Sequence, residues 1–250
     1  MKISFVIPAY NEEEILARCL TSVMKEIERQ RGVETEIIVV NNASTDRTNE
    51  VASAFQNVRI IEESRKGLVW ARRAGFLASS GEVVANIDAD TMLPEGWLTK
   101  VINEFTTDRA LLALSGPQRY YDAPLYMRAA TSVWYLIGFI FDYINEVCFK
   151  KGAMLQGGNF VLRREAMERI GGFDTSIEFY GEDTDIGRKV RRIGKVKWTF
   201  AFPIYASGRR LKKNGLLKMG FLYGSTFISI IVRGKPCIQQ YEDVRNKKAE

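Results

Sequence analysis

The first third of the chain repeats one unit, in which an apolar run is followed by a polar loop and then by a segment with helical periodicity. Residues 3–7 form the first apolar run, Pro8 follows them, and apolar side chains then recur at helical spacing over residues 15–27. Further apolar runs of this kind occupy residues 36–40, 58–61 and 83–87. Strands that alternate with helices predict a three-layer α/β sandwich whose central sheet is mostly parallel.

A polar cluster follows three of these predicted strands, at residues 8–11, 41–44 and 88–91. In an open α/β sheet, ligands bind beyond the carboxyl ends of the strands. We therefore expect the three clusters to lie together at a ligand site. Asn11, in the first cluster, is expected to cap the helix that follows it.

The second half of the chain loses this regular alternation. We predict strands at residues 111–121, 159–162 and 197–202, a turn at 171–174, and helices at 125–149 (one helix or a pair) and 182–193. The length and apolar content fit a single domain over residues 1–235, followed by a polar tail at 236–250.

The charge of the chain indicates an anionic partner. The formal net charge is +6 at pH 7, and basic residues gather late in the sequence, after Ala206. Charge alone does not separate a nucleotide from a lipid headgroup or a nucleic acid. Because the sequence has no zinc-finger spacing, RNA-binding aromatic motif or basic heptad region, we expect no nucleic-acid partner.

Cysteine usage and the N-terminus favour a cytoplasmic protein. The three cysteines lie far apart and have the spacing of neither a zinc site nor a redox motif. The first residues contain one basic side chain and a short apolar run that meets Pro8 and three glutamates, which is unlike a secretory signal peptide.

Two carboxylates, Asp88 and Asp90, follow the predicted strand at residues 83–87. Hard oxygen ligands of this kind hold Mg²⁺ or Mn²⁺ while a diphosphate completes the coordination shell. Taken alone, the triplet also fits an ordinary capped turn at a strand end.

The triplet is one of six motifs that follow one another along the chain. They are VIPAYNEE at residues 6–13, NNASTD at 41–46, KG at 66–67 with Arg72 and Gly75, IDAD at 87–90, GGFD at 171–174 and GED at 181–183. In order and approximate spacing, these motifs resemble the family 2 glycosyltransferases of GT-A fold over nearly the whole chain. The resemblance implies a hexosyltransferase-like enzyme that moves a sugar, with inversion, from a UDP-type or GDP-type donor to an acceptor hydroxyl. The expected setting is polysaccharide, glycolipid or cell-envelope glycan synthesis.

The resemblance also implies a nucleotide-sugar-binding half at residues 1–115 and an acceptor half at 116–235, with Gly158 and Asn159 on the acceptor side. The donor-binding residues that it implies are Pro8, Ala9, Tyr10, Glu12, Asn42, Lys66, Arg72 and Asp88. The Tyr10 ring would stack on the base, although it could instead cap the sheet. Asn42 stands where the family usually has an aspartate that accepts a hydrogen bond from the base, and an amide both accepts and donates.

The remaining implied roles concern the metal and the reaction. Asp88 would contact ribose and metal, Asp90 would bind Mg²⁺ or Mn²⁺ directly, Asp183 would be the general base, and Glu182 would orient it or touch the acceptor. From the local sequence, an acidic pair at a helix start also fits capping and the helix dipole. Arg72 likewise fits either a phosphate contact or a solvated helix charge.

The sequence contains no histidine, whereas some relatives supply a late histidine to the metal. The matching region contains Arg209 and Arg210, and guanidinium groups pair well with phosphate oxygens. We therefore hypothesise that one of them contacts the diphosphate and neutralises part of its charge. A solvated basic loop is the competing interpretation.

Two stretches, residues 129–141 and 219–232, are unusually apolar, and each is shorter than the ~20 residues that span a bilayer. We expect neither to be a transmembrane helix. Basic residues flank the second stretch, which would suit a helix in an anionic membrane interface near a lipid-linked acceptor, on the inner face of the cell membrane. A core or dimer helix is the alternative.

Other classes of protein fit the sequence less well. A phosphatase of the haloacid dehalogenase type would need a differently placed Thr or Val after Asp88-Ala89-Asp90, normally on the first strand. A dinucleotide oxidoreductase would need a glycine-rich turn after the first strand. A catalytically silent nucleotide-sugar-binding protein remains open, because Asn42 and the missing histidine depart from the family pattern.

Overall fold

The computed structural model describes residues 1–148, 154–177 and 179–238. Its strands are β1 (Lys2–Ala9), β2 (Glu34–Asn41), β3 (Val58–Glu62), β4 (Val83–Ile87), β5 (Thr91–Met92), β6 (Leu111–Ser115), β7 (Gln118–Tyr120), β8 (Asn159–Arg163), β9 (Lys195–Trp198) and β10 (Ile204–Ala206). Its helices are α1 (Leu16–Arg29), α2 (Thr48–Ser53), α3 (Leu68–Ala78), α4 (Trp97–Thr107), α5 (Leu125–Cys148), α6 (Arg164–Arg169), α7 (Glu182–Arg191), α8 (Arg209–Asn214) and α9 (Leu216–Arg233).

The centre of the protein is a sheet with the strand order β3-β2-β1-β4-β8-β6-β9. Neighbouring strands run parallel except at β8, which is antiparallel to both β4 and β6. A smaller sheet joins β5, β10 and β7. The mostly parallel sheet that the alternating pattern predicts is therefore present.

Helices cover both faces of the central sheet. Successive β1 side chains point to opposite faces, so Phe5 and Ile7 pack with α1 and α4, whereas Val6 packs with α3, α6 and α7. Two buried apolar clusters thus sandwich one sheet, which is the predicted three-layer α/β architecture.

The boundaries of the predicted strands differ most around prolines. The strand predicted at residues 111–121 is two strands, β6 and β7, which belong to different sheets. Pro117 lies between them and has no backbone N–H for a ladder. The strand predicted at 197–202 is β9, which ends at Trp198, and β10 begins beyond Pro203.

Asn11 does not cap α1, which begins at Leu16 without a side-chain cap. Asn11 adopts a left-handed backbone conformation (φ 50°), and its side-chain oxygen accepts a hydrogen bond from the Thr45 backbone N–H at 2.8 Å. Its own backbone N–H donates to the Ser44 hydroxyl at 3.1 Å. The side chain therefore ties the β1–α1 loop to the loop after β2, a long-range contact that local sequence does not reveal.

The apolar helices of the second half are longer than the stretches that suggested them. The predicted helix at residues 125–149 is the single helix α5 as far as Cys148, and residue 149 lies outside the described residues, as does most of the predicted tail. Within the described part of the chain, α9 is long and apolar enough to cross a membrane by length and composition. Three of its 18 residues are buried, and two of these, Thr226 and Ile230, pack against Gly181 at the start of α7.

Candidate functional site

The three predicted polar clusters lie at one edge of the central sheet. Ala9 at the end of β1 is in register with Asn41 at the end of β2, and the Ala9 carbonyl accepts a hydrogen bond from the Asn42 N–H at 2.8 Å. Asp88 follows β4, which runs parallel to β1. The side chains of Pro8 and Ala9 are buried, so these two residues support the β1–α1 loop from inside the protein.

A buried arginine joins the first half of the chain to the second. Arg72 lies on α3 with none of its surface exposed, and its guanidinium stacks over the Phe160 ring at 5.0 Å. Its Nη2 donates to Asp88 Oδ1 and its Nη1 donates to Glu182 Oε1, each at 2.8 Å. Arg72 is therefore an internal bridge between two predicted site residues, and the interpretation as a solvated helix charge is wrong.

Two adjacent glycines before β8 bring the carboxylates together. A Cβ on Gly158 would lie 2.3 Å from Asp88 Oδ2, and the backbone φ of +73° is one that glycine adopts without strain. The Gly157 N–H donates to Asp183 Oδ2 at 2.7 Å. This loop thus places Asp88 and Asp183 on either side of one short glycine segment.

The two acidic residues at the start of α7 have different surroundings. Glu182 is buried against Arg72, whereas Asp183 is only half-buried and accepts hydrogen bonds from the backbone N–H groups of Gly157 and Thr184. Burial raises the pKa of Glu182 to about 8, while the charge of Arg72 opposes this shift. Burial also raises the pKa of Asp183, again against Arg72. Asp183 is the more accessible carboxylate, and its orientation is fixed by backbone donors.

A second arginine bridges the other two acidic positions. Arg209, at the start of α8, contacts Glu12 through a two-pronged ion pair with distances of 2.5 and 2.9 Å. Its Nη2 also lies 3.0 Å from Asp90 Oδ2. The predicted metal ligand Asp90 therefore has a cationic partner within the protein, and Glu12 holds that cation in place.

Arg210 lies apart from its neighbour in sequence. Its Nη1 donates to the Tyr180 hydroxyl at 3.1 Å, and its guanidinium stacks over the Phe179 ring at 4.9 Å. Tyr180 immediately precedes the glycine that leads into α7. Arg210 thus lies near the start of α7, whereas Arg209 lies beside Asp90.

The half-buried Tyr10, after β1, and the exposed Lys66, after β3, form a pair. The Lys66 ammonium lies 5.1 Å from the centre of the Tyr10 ring and 3.4 Å from its hydroxyl. An aromatic face and a cation side by side suit a base and a phosphate.

Asn42 is buried and spans the loop between β3 and α3. Its amide nitrogen donates to the carbonyls of Glu63 and Arg65 at 2.9 and 2.8 Å, and its oxygen accepts from the Gly67 N–H at 2.9 Å. The amide donors are therefore used within the loop, an arrangement that a carboxylate could not make because it has no N–H.

Asn159 also makes its side-chain contacts inside the protein. Its oxygen accepts from the Trp97 indole at 3.1 Å, and its nitrogen donates to the carbonyls of Gly116 and Phe202 at 3.0 and 2.9 Å. These contacts connect β8 to the chain beside β6 and β9. Gly158, which precedes Asn159, is also buried, against the Asp88 side chain.

The carboxylates fit a hard divalent cation that shares its ligands with a phosphate. Mg²⁺ is usually held by one or two carboxylates together with substrate phosphates, and Asp88 and Asp90 supply two oxygen-bearing groups at one strand end. Among the residues that the structure describes, there is no group of three or more His, Cys, Asp or Glu side chains that could hold a metal ion. A donor diphosphate would have to complete the coordination.

Sequence reasoning missed Gly157 and Gln118. The Gln118 side chain donates to the Gly157 carbonyl at 2.8 Å, so β7 and Asp183 are connected through a single residue. The paired glycines at residues 157–158, directly before an apolar run, were the available signal for Gly157. Nothing local marks Gln118, whose role depends on the separation of β6 from β7.

The model of glycosyl transferase family 2 matches residues 4–171, and the chain belongs to this family. A probable glycosyltransferase of Bacillus subtilis, YdaM, is 27% identical over 212 residues, which are 77% of this chain and 47% of the relative. The glycosyltransferase AglE of Haloferax volcanii is 34% identical over 106 residues, which are 40% of this chain and 34% of AglE. The chain thus spans about half or less of these relatives.

Solved structures confirm the predicted GT-A fold. The mannosyltransferase PcManGT of Pyrobaculum calidifontis, in complex with GDP-Man and Mn²⁺, superposes with a TM-score of 0.66 over 94% of this chain and 65% of that chain, at 20% identity. S. aureus TarS 1-349 in complex with UDP gives a TM-score of 0.65 over 96% of this chain and 68% of that chain, at 15% identity.

Proposed function

We propose that the protein transfers a sugar from a nucleotide diphosphate donor to an acceptor hydroxyl, with inversion at the anomeric carbon. One observation carries the proposal. Asp88 and Asp183, which are far apart in sequence, belong to a single cluster that Arg72 and the glycines at 157–158 hold together. A metal-binding carboxylate and a base on either side of one short segment suit attack and departure at one sugar carbon.

In this proposal Asp183 removes the acceptor proton. As the acceptor oxygen forms its bond to the anomeric carbon, the bond from that carbon to the diphosphate oxygen breaks, and the nucleoside diphosphate leaves with the electron pair. Backbone donors fix the orientation of the Asp183 carboxylate. Its raised pKa is closer to neutral pH, where a general base works best. Glu182 acts through Arg72, which it holds beside Asp88.

Donor binding is assigned to the residues on the β1, β2 and β4 edge. Tyr10 offers a stacking surface and Lys66 a charge, while Asp88 and Asp90 would hold Mg²⁺ or Mn²⁺ with the diphosphate. The ion would supply charge neutralisation for the leaving group. The mannosyltransferase structure contains GDP-Man and Mn²⁺, and the TarS structure contains UDP. These ligands support a GDP-type or UDP-type donor here.

Arg209 has a direct part in this proposal. Because its guanidinium sits on Asp90 and Glu12, a phosphate that approaches Asp90 meets a cation already in position. The same ion pair also fits the second candidate, a silent nucleotide-sugar-binding protein in which Arg209 permanently replaces a metal at Asp90. We further propose a glycan or lipid-linked acceptor and a cytoplasmic location.

Release of nucleoside diphosphate from UDP-sugars and GDP-sugars, measured with and without Mn²⁺, tests the proposal. A positioned base contributes roughly 10²- to 10⁴-fold in rate. We therefore expect Asp183→Asn to lower sugar transfer by about this factor and to leave nucleotide affinity within about twofold. The matched control is Asp108→Asn, at the opposite edge of the sheet, which should transfer sugar at the wild-type rate. Equal turnover in Asp183→Asn and wild type would remove Asp183 from the mechanism, and no release with any donor would favour the silent binder.

A further inference from the structure

Two helices of the acceptor half leave most of their apolar side chains in water. Of the twenty large apolar side chains that are exposed among the described residues, eleven lie on α5 and five on α9. Those on α5 are Leu125, Tyr126, Val133, Trp134, Leu136, Ile137, Ile140, Phe141, Tyr143, Ile144 and Val147. Those on α9 are Leu217, Phe221, Tyr223, Ile228 and Val232. We call these sixteen residues the α5–α9 face.

The two helices form one continuous surface. The Trp134 ring of α5 lies over the glycines of α9, because a Cβ on Gly224 would be 3.2 Å from Trp134 Cη2 and one on Gly220 would be 3.8 Å from its Cζ3. The absence of side chains at these two positions lets the helices approach closely. Two packed helices give a contiguous exposed apolar surface that is larger than the area of scattered single side chains. Contiguous surfaces of this kind mark contacts with partners or membranes.

The charge around the face selects an anionic occupant. At least six of the thirteen Lys and Arg residues at 186–241 form ion pairs with acidic residues elsewhere in the fold. The sequence of α9 itself has basic residues and no Asp or Glu. Lys218 lies near the start of α9, and Arg233 and Lys235 lie at its end, all exposed. Two copies of the chain that met through α9 would bring like charges together. An anionic lipid surface would accept both the apolar side chains and the basic rim.

The face is also connected to the reaction site. Ile230 and Thr226 of α9 pack against Gly181, since a Cβ on Gly181 would lie 2.1 Å from Ile230 Cδ1. Gly181 directly precedes Glu182 and Asp183. Tyr180, on the other side of Gly181, contacts the ring of Tyr223 on α9, with ring centres 6.1 Å apart. A surface bound to α9 is therefore one residue layer from the start of α7, where the base is assigned.

We propose that the α5–α9 face docks on an anionic lipid bilayer and that the sugar acceptor is carried by a lipid of that bilayer. The second clause rests on the glycosyl transfer proposed above. Docking places the acceptor end of the site at the membrane surface, while the donor end, at Tyr10 and Lys66, belongs to the other half of the domain. The helices lie in the interface and do not cross the bilayer, because α9 is held against α7.

Vesicle co-sedimentation tests the docking. Vesicles of phosphatidylcholine mixed with phosphatidylglycerol should bind the protein, vesicles of phosphatidylcholine alone should bind it more weakly, and about 0.5 M salt should reduce binding to the mixed vesicles. The double variant Phe141→Glu, Phe221→Glu should bind at least about tenfold more weakly, because it removes one exposed ring from each helix. Leu77→Glu, which changes an exposed apolar residue of α3, is the matched control and should bind as wild type does.

A second variant keeps the test informative if the double variant does not fold. Lys218→Glu, Arg233→Glu changes only exposed charges at the ends of α9 and should weaken binding to the anionic vesicles selectively. Absence of vesicle binding by the wild type would overturn the docking. This holds whether the wild type is then a monomer or a dimer that the same substitutions dissociate. Resistance of the bound protein to alkaline extraction would overturn interfacial docking in favour of a spanning helix.

Donor hydrolysis distinguishes a failure of the docking proposal from a failure of the proposed glycosyl transfer. Vesicle binding without nucleotide release would contradict glycosyl transfer and leave the docking intact. Nucleotide release without vesicle binding would contradict the docking alone. With a labelled donor and native membranes, the lipid-borne acceptor predicts label in the solvent-extractable lipid fraction, and label confined to water-soluble products would overturn that clause.

Discussion

Two arginines each bridge a pair of carboxylates in this site, and they differ in how far water reaches them. Arg72 is completely buried and joins Asp88 to Glu182, whereas the Arg209 side chain is 28% exposed and joins Glu12 to Asp90. A buried ion pair cannot exchange its partners without exposing unpaired charge. A partly exposed pair can exchange one partner for a solvated ion or a phosphate at little cost.

The difference assigns the two bridges to different tasks. Arg72 links Asp88 to the start of α7, so in the proposed mechanism it would act as a positioning residue for both Asp88 and Asp183. Arg209 forms an ion pair with Asp90 that an incoming metal ion or phosphate can displace. The fixed bridge would set geometry, and the exchangeable bridge would respond to the donor.

The largest contrast should appear in stability. Replacement of Arg72 with Met leaves the Asp88 carboxylate and the buried Glu182 carboxyl without their donor, and removal of one member of a buried pair costs about 3–5 kcal/mol. Urea unfolding should therefore show a loss of this size for Arg72→Met, with a fall in Tm of about 10 °C. Arg209→Met, the matched variant, leaves the buried Glu12 carboxylate short of a donor but removes a partly exposed arginine, so it should lose less, about 1–3 kcal/mol. Equal losses would erase the distinction between the bridges.

A second contrast concerns the space around Asp88. Gly158→Ala places a methyl group against the Asp88 carboxylate and forces a left-handed residue other than glycine, which costs about 1–3 kcal/mol in backbone strain. Gly96→Ala has a similar φ of +81° but no atom within 4 Å of the new Cβ. Both variants should lose stability, while only Gly158→Ala should weaken Mn²⁺-dependent nucleotide binding in calorimetry. Normal binding in Gly158→Ala would show that Asp88 is free to move.

The fixed bridge should also have a pH signature. Burial raises the pKa of Glu182 to about 8 in the folded protein, above the ~4.3 of an unfolded chain. The folded state thus binds the Glu182 proton more strongly than the unfolded chain does. The resulting stabilisation is fully present below the pKa of the unfolded chain and is lost as the pH rises toward 8. The Tm of wild type should fall by a few degrees relative to Glu182→Gln between about pH 5 and about pH 8. A difference that stays constant or grows with pH would contradict the burial of Glu182.

The smallest effect is expected at the exchangeable bridge. In the absence of nucleotide, Arg209 competes with a metal ion for Asp90, so Arg209→Ala should bind Mn²⁺ a few-fold more tightly, a change of under about 1 kcal/mol. Manganese electron paramagnetic resonance measures free Mn²⁺ directly. Lys212→Ala, on the same helix but paired with Asp122, is the control and should leave Mn²⁺ affinity unchanged. Weaker Mn²⁺ binding in Arg209→Ala would mean that Arg209 supports the ion site.

The sequence predicts the donor half of this molecule well and the acceptor half poorly, for a physical reason. In the donor half, Asn42 and Asp88 each follow a buried strand, so apolar periodicity alone places them at one edge of the sheet. In the acceptor half the contacts join distant segments. The pairing of Arg72 with Glu182 and the hydrogen bond from Gln118 to Gly157 leave no periodic trace in the chain.

The same reason explains what was misjudged locally. Asn11 fits a helix cap by its residue type, yet a competing contact with the loop after β2 takes its side chain. Arg72 fits a solvated helix position until α7 is placed beside α3. In both cases a tertiary partner decided the role of a polar side chain. Gly158, in contrast, was placed on the acceptor side by the family resemblance, and its contact with Asp88 gives it a steric reason to be glycine.

The most direct test of the donor site is a thermal-shift screen of UDP, GDP, CMP, dTDP and their sugars, with and without Mn²⁺, on wild type and Asp90→Asn. A ligand at ~100 times its Kd adds ~2.7 kcal/mol, which should raise the Tm by several degrees. We expect one nucleotide to give a Mn²⁺-dependent shift in wild type that Asp90→Asn loses. The absence of a shift with every nucleotide, or an equal shift in Asp90→Asn, would contradict a metal-assisted nucleotide-sugar site at Asp88 and Asp90.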